Sequence, residues 1–243
     1  MNIALIGYGK MGKTIEAICK SRNHSITAIC NSKNPIEEND FSAVDVAIEF
    51  STPSNVLHHI AVLVKNGVPV IVGTTGWNEQ LPTVTNLVNE NNGALLHASN
   101  FSIGVNLFFK LNTFLAKLMN NQSDYYVSME EIHHTEKLDA PSGTAISLAE
   151  GIIEEHKAIN EWTCPQHPEK NEFNGGLEIT AKREPGVFGI HKIKYSSPID
   201  EIEIKHKANN REGFAMGAVV AAEWLHDKKG VFTMDDVLNF NNL

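Results

Sequence analysis

Cysteine is scarce in this chain: three residues in 243, Cys19, Cys30 and Cys164, far apart and in no C-x-x-C pattern. That odd, scattered set argues against a disulfide scaffold and a structural zinc, so no metal is expected and a reducing compartment is. Basic residues are also short, with 20 Lys and Arg against 29 Asp and Glu and a formal net charge of −9. A surface of that sign repels polyanions, so neither nucleic acid nor an anionic membrane is the expected partner. An anionic small molecule would have to be met by a local cluster of cations. No apolar run approaches the roughly 20 residues a bilayer span needs, and no signal peptide is read before the first strand. Long linkers, low-complexity segments and internal repeats are absent too. With 42% hydrophobic and 20% charged residues, the expectation is a soluble, cytoplasmic protein with a substantial core.

What is present begins almost at once. Asn2 to Ile6 reads as a strand entering Gly7-Tyr8-Gly9-Lys10-Met11-Gly12, and a helical run with Ile15, Ile18 and Cys19 follows. Strand, G-x-G-x-x-G, helix is a dinucleotide-binding arrangement: one Gly makes the tight turn, one admits a pyrophosphate, one lets helix pack on strand. A second strand, Ile26 to Cys30, ends in Asn31-Ser32-Lys33, where NAD-binding folds usually carry an acid for the adenine ribose; none appears before Glu37. Strands at 44–50, 68–72 and 94–98 alternate with helices through Val64 and over 78–90, a rhythm that predicts a parallel sheet with right-handed crossovers. Gly73-Thr74-Thr75-Gly76 sits at another strand's C-terminal end, where open α/β sheets bind ligands.

Beyond Gly104 the pattern changes. A long helix over 105–119, a strand at 125–132, another helix, and three strand-like runs at 177–183, 187–195 and 201–206 predict an α+β domain with a mixed, largely antiparallel sheet. A helix from Arg211 through Leu225 and the tail at 234–240 are expected to return to the first sheet. The expected division is therefore a Rossmann-like domain over 1–104 completed by 212–243, and a substrate-binding and oligomerisation domain over 105–211.

One stretch concentrates chemistry. Glu130-Glu131-Ile132-His133-His134-Thr135-Glu136-Lys137-Leu138-Asp139-Ala140-Pro141 leads into Ser142-Gly143-Thr144-Ala145, the start of a helix with Ile146, Leu148, Ala149, Ile152 and Ile153 at helical spacing. A Gly-bearing helix start can hold an anion, and two imidazoles with an ammonium beside it can bind a carboxylate and deliver a proton. A solvated polar loop is the plainer reading of such a segment taken alone.

These blocks together, with Asn100-Phe101-Ser102-Ile103-Gly104-Val105-Asn106 between them, resemble the 4-hydroxy-tetrahydrodipicolinate reductase (dihydrodipicolinate reductase) family of the diaminopimelate route to lysine, nearly end to end. The chain departs from that family at Thr135 and Glu136, where further basic residues are common, and along 157–176. The resemblance implies hydride transfer from NADPH or NADH to a cyclic imino dicarboxylate, with loss of its 4-hydroxyl as water, in a homotetramer. By matching position His133 would be the general acid or proton relay, and Lys137 the second proton donor and carboxylate partner. His134 would bind substrate, with Gly143 and Thr144 contacting a carboxylate. Gly7 to Gly12, Gly73, Thr74 and Thr75, and Ala98, Ser99, Asn100 and Phe101 would hold the dinucleotide. Arg183 and Arg211 are further candidates, more simply read as surface salt bridges. A different two-domain nicotinamide dehydrogenase, or an NAD(P)-sensing module without activity, would share the first hundred residues but has no use for the stretch from His133 to Thr144.

Overall fold

The computed structural model describes residues 1–165, 176–210 and 212–240. It divides into two compact units, Met1–Ile103 with Glu212–Leu243, and Gly104–Arg211.

In the first unit, strands β1 (Asn2–Ile6), β2 (Ser25–Cys30), β3 (Val46–Glu49), β4 (Val70–Val72) and β5 (Ala94–His97) are joined by helices α1 (Lys10–Ser21), α2 (Val56–Lys65) and α3 (Leu81–Glu90). All pairings are parallel, and a sixth strand, β11 (Gly230–Phe232), extends the sheet beyond β5. The strands are apolar without alternation because both faces are covered. Ile3, Leu5, Val46 and Ile48 pack against Ile15, Ile18 and Cys19 of α1 and against Ala218, Ala222 and Leu225 of α6 (Glu212–Leu225). Ala4, Ile6, Ala47, Val70 and Val72 pack against Ile60, Leu63 and Val64 of α2 and Val84 and Val88 of α3. The return of the C-terminal segment to this sheet was expected; its three-residue strand was not, since so short a run has no readable period. Strand order β11-β5-β4-β3-β1-β2 puts the change of winding direction between β1 and β3. Open α/β sheets bind ligands at that point.

The second unit opens with most of α4 (Ile103–Met119) and carries α5 (Gly143–Glu155) and a five-stranded mixed sheet of order β10-β9-β6-β8-β7. Here β6 is Tyr126–His133, β7 Trp162–Thr163, β8 Leu177–Arg183, β9 Ile190–Ser196 and β10 Glu201–Lys207. β6 is where pairing changes: antiparallel to β9, parallel to β8. The parallel pair follows from α5, since a helix between two neighbouring strands returns the chain in its original direction. Phe108, Ala116 and Met119 of α4 and Leu148, Ala149 and Ile152 of α5 cover Met129, Ile179, Ile193 and Tyr195 on one face. The short strand β7, inside the segment that departs from the family, was not legible in the sequence. Arg211 lies outside the described residues.

Candidate active site

The turn after β1 is closed below and open above. Gly7 has φ +94°, and a Cβ there would lie 2.1 Å from the Phe50 carbonyl oxygen, so backbone conformation and space both demand glycine. A Cβ on Gly9 would meet nothing within 4 Å. Gly9 also caps α1 without a side-chain bond, and the first turn of that helix holds Lys10 and Lys13 but no acid. Exposed amides, a positive dipole end and two cations fit a pyrophosphate. Tyr8 is tied to Glu16 through its hydroxyl, and half-buried Met11 packs on the core behind the turn.

The other cofactor candidates gather at the same strand ends. Gly73 lies against Phe50, where a Cβ would come within 2.2 Å of the ring. The Thr74 hydroxyl accepts from the Ser51 amide at 2.8 Å, and Thr75 is exposed. Phe101 is buried with its ring 5.8 Å from that of Phe50. Asn100 accepts from the Ser102 amide, while Ala98 and Ser99 lead into this turn from β5. Phe50 therefore joins the turns after β1, β4 and β5, a role that its place in an apolar run did not reveal. At the ribose end, Asn31 Oδ1 accepts from the amides of Lys33 and Asn34 at 2.8 and 3.2 Å. That carbonyl is spent on its own turn, so what Asn31 offers a ligand is its amide N–H. Ser32 and Lys33 are exposed, and Glu37, the next acid, pairs with His58.

In the second unit strand register builds the site. Residues two apart on β6 share a face, so Glu131 and His133 do. Register sets His191 of β9 opposite Glu131 and Arg183 of β8 opposite His133, bringing all four together. Glu131 is fully buried, and a lone buried carboxylate costs several kcal/mol. It is not alone: its oxygens accept from the Ser142 amide at 3.1 Å and lie 3.3 Å from His133 Nδ1, 3.4 Å from the Arg183 guanidinium and 3.8 Å from His191 Nε2. Burial alone would raise its pKa, but the His133 ring 3.3 Å away and the bonds from Ser142 outweigh it and hold the carboxyl at about 2. His191 goes the other way, pushed down to about 3 by burial first and then by the charge of His133. Glu131, His133 and His191 are also spaced as metal ligands could be. The Arg183 cation and the Ser142 amide already occupy the carboxylate, a donor set suited to handling protons.

Ser142 links this cluster to α5. Its amide donates to Glu131 and its Oγ accepts from the Ala145 amide at 3.2 Å, capping the helix. Gly143 is exposed with open space around it, and its amide has no partner among the described residues. Thr144 follows in the same first turn. Lys137 Nζ is bound to both Asp139 oxygens at 2.8 Å. His134 is half-buried, with Nδ1 lacking a hydrogen bond. Arg183 is not the surface ion pair the sequence suggested. It reaches inward to Glu131 and donates to the carbonyls of Lys137, Lys182 and Asp139, bracing the loop. Sequence reasoning gave no role to Glu131, Asp139 or His191; only register and loop geometry disclose them.

Comparison with known proteins matches both units. Family models described as dihydrodipicolinate reductase, N-terminus and C-terminus, match residues 1–101 and 104–238. A 4-hydroxy-tetrahydrodipicolinate reductase of Christiangramia forsetii is 47% identical over 241 residues, 98% of either chain. One from Buchnera aphidicola subsp. Schizaphis graminum is 38% identical over 213 residues, covering 84% of this chain and 74% of its own. Among solved structures, the dipicolinate-bound dihydrodipicolinate reductase from Paenisporosarcina sp. TG-14 superposes with a TM-score of 0.76 at 26% identity, covering 96% of this chain and 97% of its own.

Proposed function

The chain belongs to the dihydrodipicolinate reductase family, and from that premise we propose which of its residues carry the reaction. It is an oxidoreductase of lysine and diaminopimelate biosynthesis, reducing 4-hydroxy-tetrahydrodipicolinate to tetrahydrodipicolinate with NAD(P)H. In balance, the 4-hydroxyl takes up one proton and leaves as water while the neighbouring ring carbon gives one back to solvent, and a hydride and a second proton then enter the ring. The nicotinamide, when bound, supplies the hydride.

His133 gives the proton. It stands at the end of β6, nearly buried, where transfer is shielded from bulk water and a carboxylate lies beside the ring. Gly143 and Thr144 cradle one substrate carboxylate at the start of α5. Lys137 takes the other, which displaces Asp139 from the ammonium as a like-for-like oxygen partner, and Lys137 serves as second proton donor. His134 lines the same pocket. The observation that carries this reading is the sharing of Glu131 between His133 and Ser142, which sets a proton donor beside an anion-binding helix start.

The first unit holds the dinucleotide, with Gly7, Gly9 and Gly12 at the pyrophosphate, Gly73 to Thr75 and Ala98 to Phe101 around the strand ends, and Asn31 to Lys33 at the ribose. The protein works in the cytoplasm as a homotetramer joined through the second unit's sheet. Helices cover one face of that sheet, while Tyr126 on the opposite face is 78% exposed. Sedimentation should give a species four times 26.8 kDa, and a monomer at micromolar concentration refutes it. Activity is tested by nicotinamide oxidation with substrate generated in place from aspartate semialdehyde and pyruvate. No turnover with either nicotinamide would end the reading.

A further inference from the structure

The proposed acid has two ring nitrogens, and the cluster around it treats them differently. On the Nδ1 side stands Glu131, its Oε2 3.3 Å away. Nδ1 is buried and makes no well-formed hydrogen bond as it stands. A small turn of the ring closes the gap, the kind of tightening that catalytic contacts undergo when a site fills. On the Nε2 side stands Gly189, just before β9. A Cβ there would lie 3.2 Å from Nε2 and 3.5 Å from Cδ2, so the absence of a side chain leaves room at that nitrogen. His191 meets the His133 ring edge-on, with centroids 5.1 Å apart at 71°. Its Nε2 lies 3.3 Å from Ser142 Oγ, which ties it to the cap of α5.

We propose that Glu131 and His191 are positioning residues for His133, holding Nδ1–H toward the Glu131 carboxylate so that Nε2 is the atom that delivers the proton. In the charged ring both nitrogens carry hydrogen. Nε2–H breaks as its proton passes to the substrate, and the neutral ring keeps its proton on Nδ1 until solvent restores the other. Glu131 stays ionised throughout and stabilises the imidazolium, as a carboxylate orienting a catalytic histidine does. It also anchors the Ser142 amide, so one carboxylate sets the proton donor and the anion-binding turn in fixed relation. His191 fills the remaining side of the ring as a neutral neighbour that brings no competing charge.

This inference rests on the proposed role of His133, and its test separates the two. Nitrogen-15 spectra of the whole, histidine-labelled protein, with His133→Gln used for assignment, should show neutral His133 protonated on Nδ1. The Nε2–H tautomer would overturn the proposal without any positioning variant having to fold. Kinetically, Glu131→Gln keeps an oxygen for the Ser142 amide but loses the charge. It should cut kcat on the order of 10²-fold while the KM for the dicarboxylate stays within about threefold. Unchanged kcat, or a loss confined to KM, overturns it. His191→Gln, which can still reach Ser142, should keep more of kcat than His191→Phe; equal losses count against the positioning role. If His133→Gln itself keeps full kcat, the acid assignment falls, whatever the tautomer.

Discussion

At the C-terminal end of β1 the chain removes side chains; at the C-terminal end of β6 it concentrates them. Gly7 and Gly9 leave a bare turn whose amides and helix dipole suit an anion, and the cations beside it, Lys10 and Lys13, are exposed and stay solvated. Glu131, His133, His191 and Arg183 are ionisable and largely buried, and the buried Glu131 charge is offset by the Arg183 cation and the neighbouring His133 ring. The first arrangement suits a cofactor that must bind and leave at every turnover. The second suits a reaction in which a proton changes hands, since titratable groups are what move protons. A side-chain site also answers to charge and pH, and a backbone site answers to bulk.

The sharpest way to break the contrast is at His133. His133→Gln should lower kcat about 10²–10⁴-fold, more than it raises KM, because a general acid acts in the transition state. Wild-type kcat in that variant would leave His134 as the next candidate. Lys137→Met should follow, with kcat down about 10²-fold. Lys137→Arg should not restore it, since a guanidinium releases no proton near neutrality. Full rescue by Arg would make the role one of charge alone. Bulk should matter at Gly7. Gly7→Ala drives a methyl into the Phe50 carbonyl and should cost roughly 1–3 kcal/mol, felt as a weaker KM for the dinucleotide and a lower Tm. If Gly7→Ala disturbed kcat and left cofactor KM alone, the division of labour would be wrong.

Acid should unfold the second unit's site in two steps. For His191 the ordinary pKa is 6.5 and the folded value about 3. Below pH 6.5 the unfolded chain binds a proton that the folded chain refuses. Stability therefore falls as pH falls, on the order of 1 kcal/mol per unit, until pH nears 3. For Glu131 the folded pKa of about 2 lies below the ordinary 4.5. Its contribution is complete above about 4.5 and is lost as pH falls through 2. Urea midpoints against pH should show the first limb in wild type and lose it in His191→Gln; an unchanged limb would assign it to another group.

How far the sequence could be read follows the same contrast. The bare turn was legible because glycine spacing along one strand and one helix is local, and 2–6 followed by Gly7, Gly9 and Gly12 says where the backbone turns tightly and stays open. Likewise His133, Lys137 and Gly143 share one stretch. Their partners do not. His191 is about sixty residues from Glu131, and only the antiparallel register of β6 with β9 makes them neighbours. Arg183 reaches Glu131 by the parallel register with β8, which exists because α5 returns the chain. Linear spacing carries no trace of such pairings. Phe50 was hidden for a different reason: in an apolar run it looks like core, and only its position after β3 puts it between two glycine turns.

The smallest expected effect lies at the turn after β2, the expected ribose end of the dinucleotide, where the added charge is a single exposed lysine. An acid at the end of β2 would accept from both ribose hydroxyls of NADH and repel the 2′-phosphate of NADPH. This chain has Asn31, Ser32 and Lys33 there, and Glu37 beyond them is engaged by His58. Because Asn31 Oδ1 is spent on the amides of Lys33 and Asn34, it does not stand in for the ribose-binding carboxylate. What remains are the Asn31 side-chain amide and the exposed Lys33 ammonium, which only donate, and the Ser32 hydroxyl, which can do either; together they suit a phosphate better than a hydroxyl. NADPH should therefore serve at least as well as NADH. Lys33 is exposed, so its contribution is screened. Lys33→Ala should lower kcat/KM for NADPH by roughly threefold, leave NADH nearly unchanged, and lose most of its effect as salt rises. A strong wild-type preference for NADH, untouched by the substitution, would mean that the donors at this turn face water and that the backbone site selects its cofactor without charge.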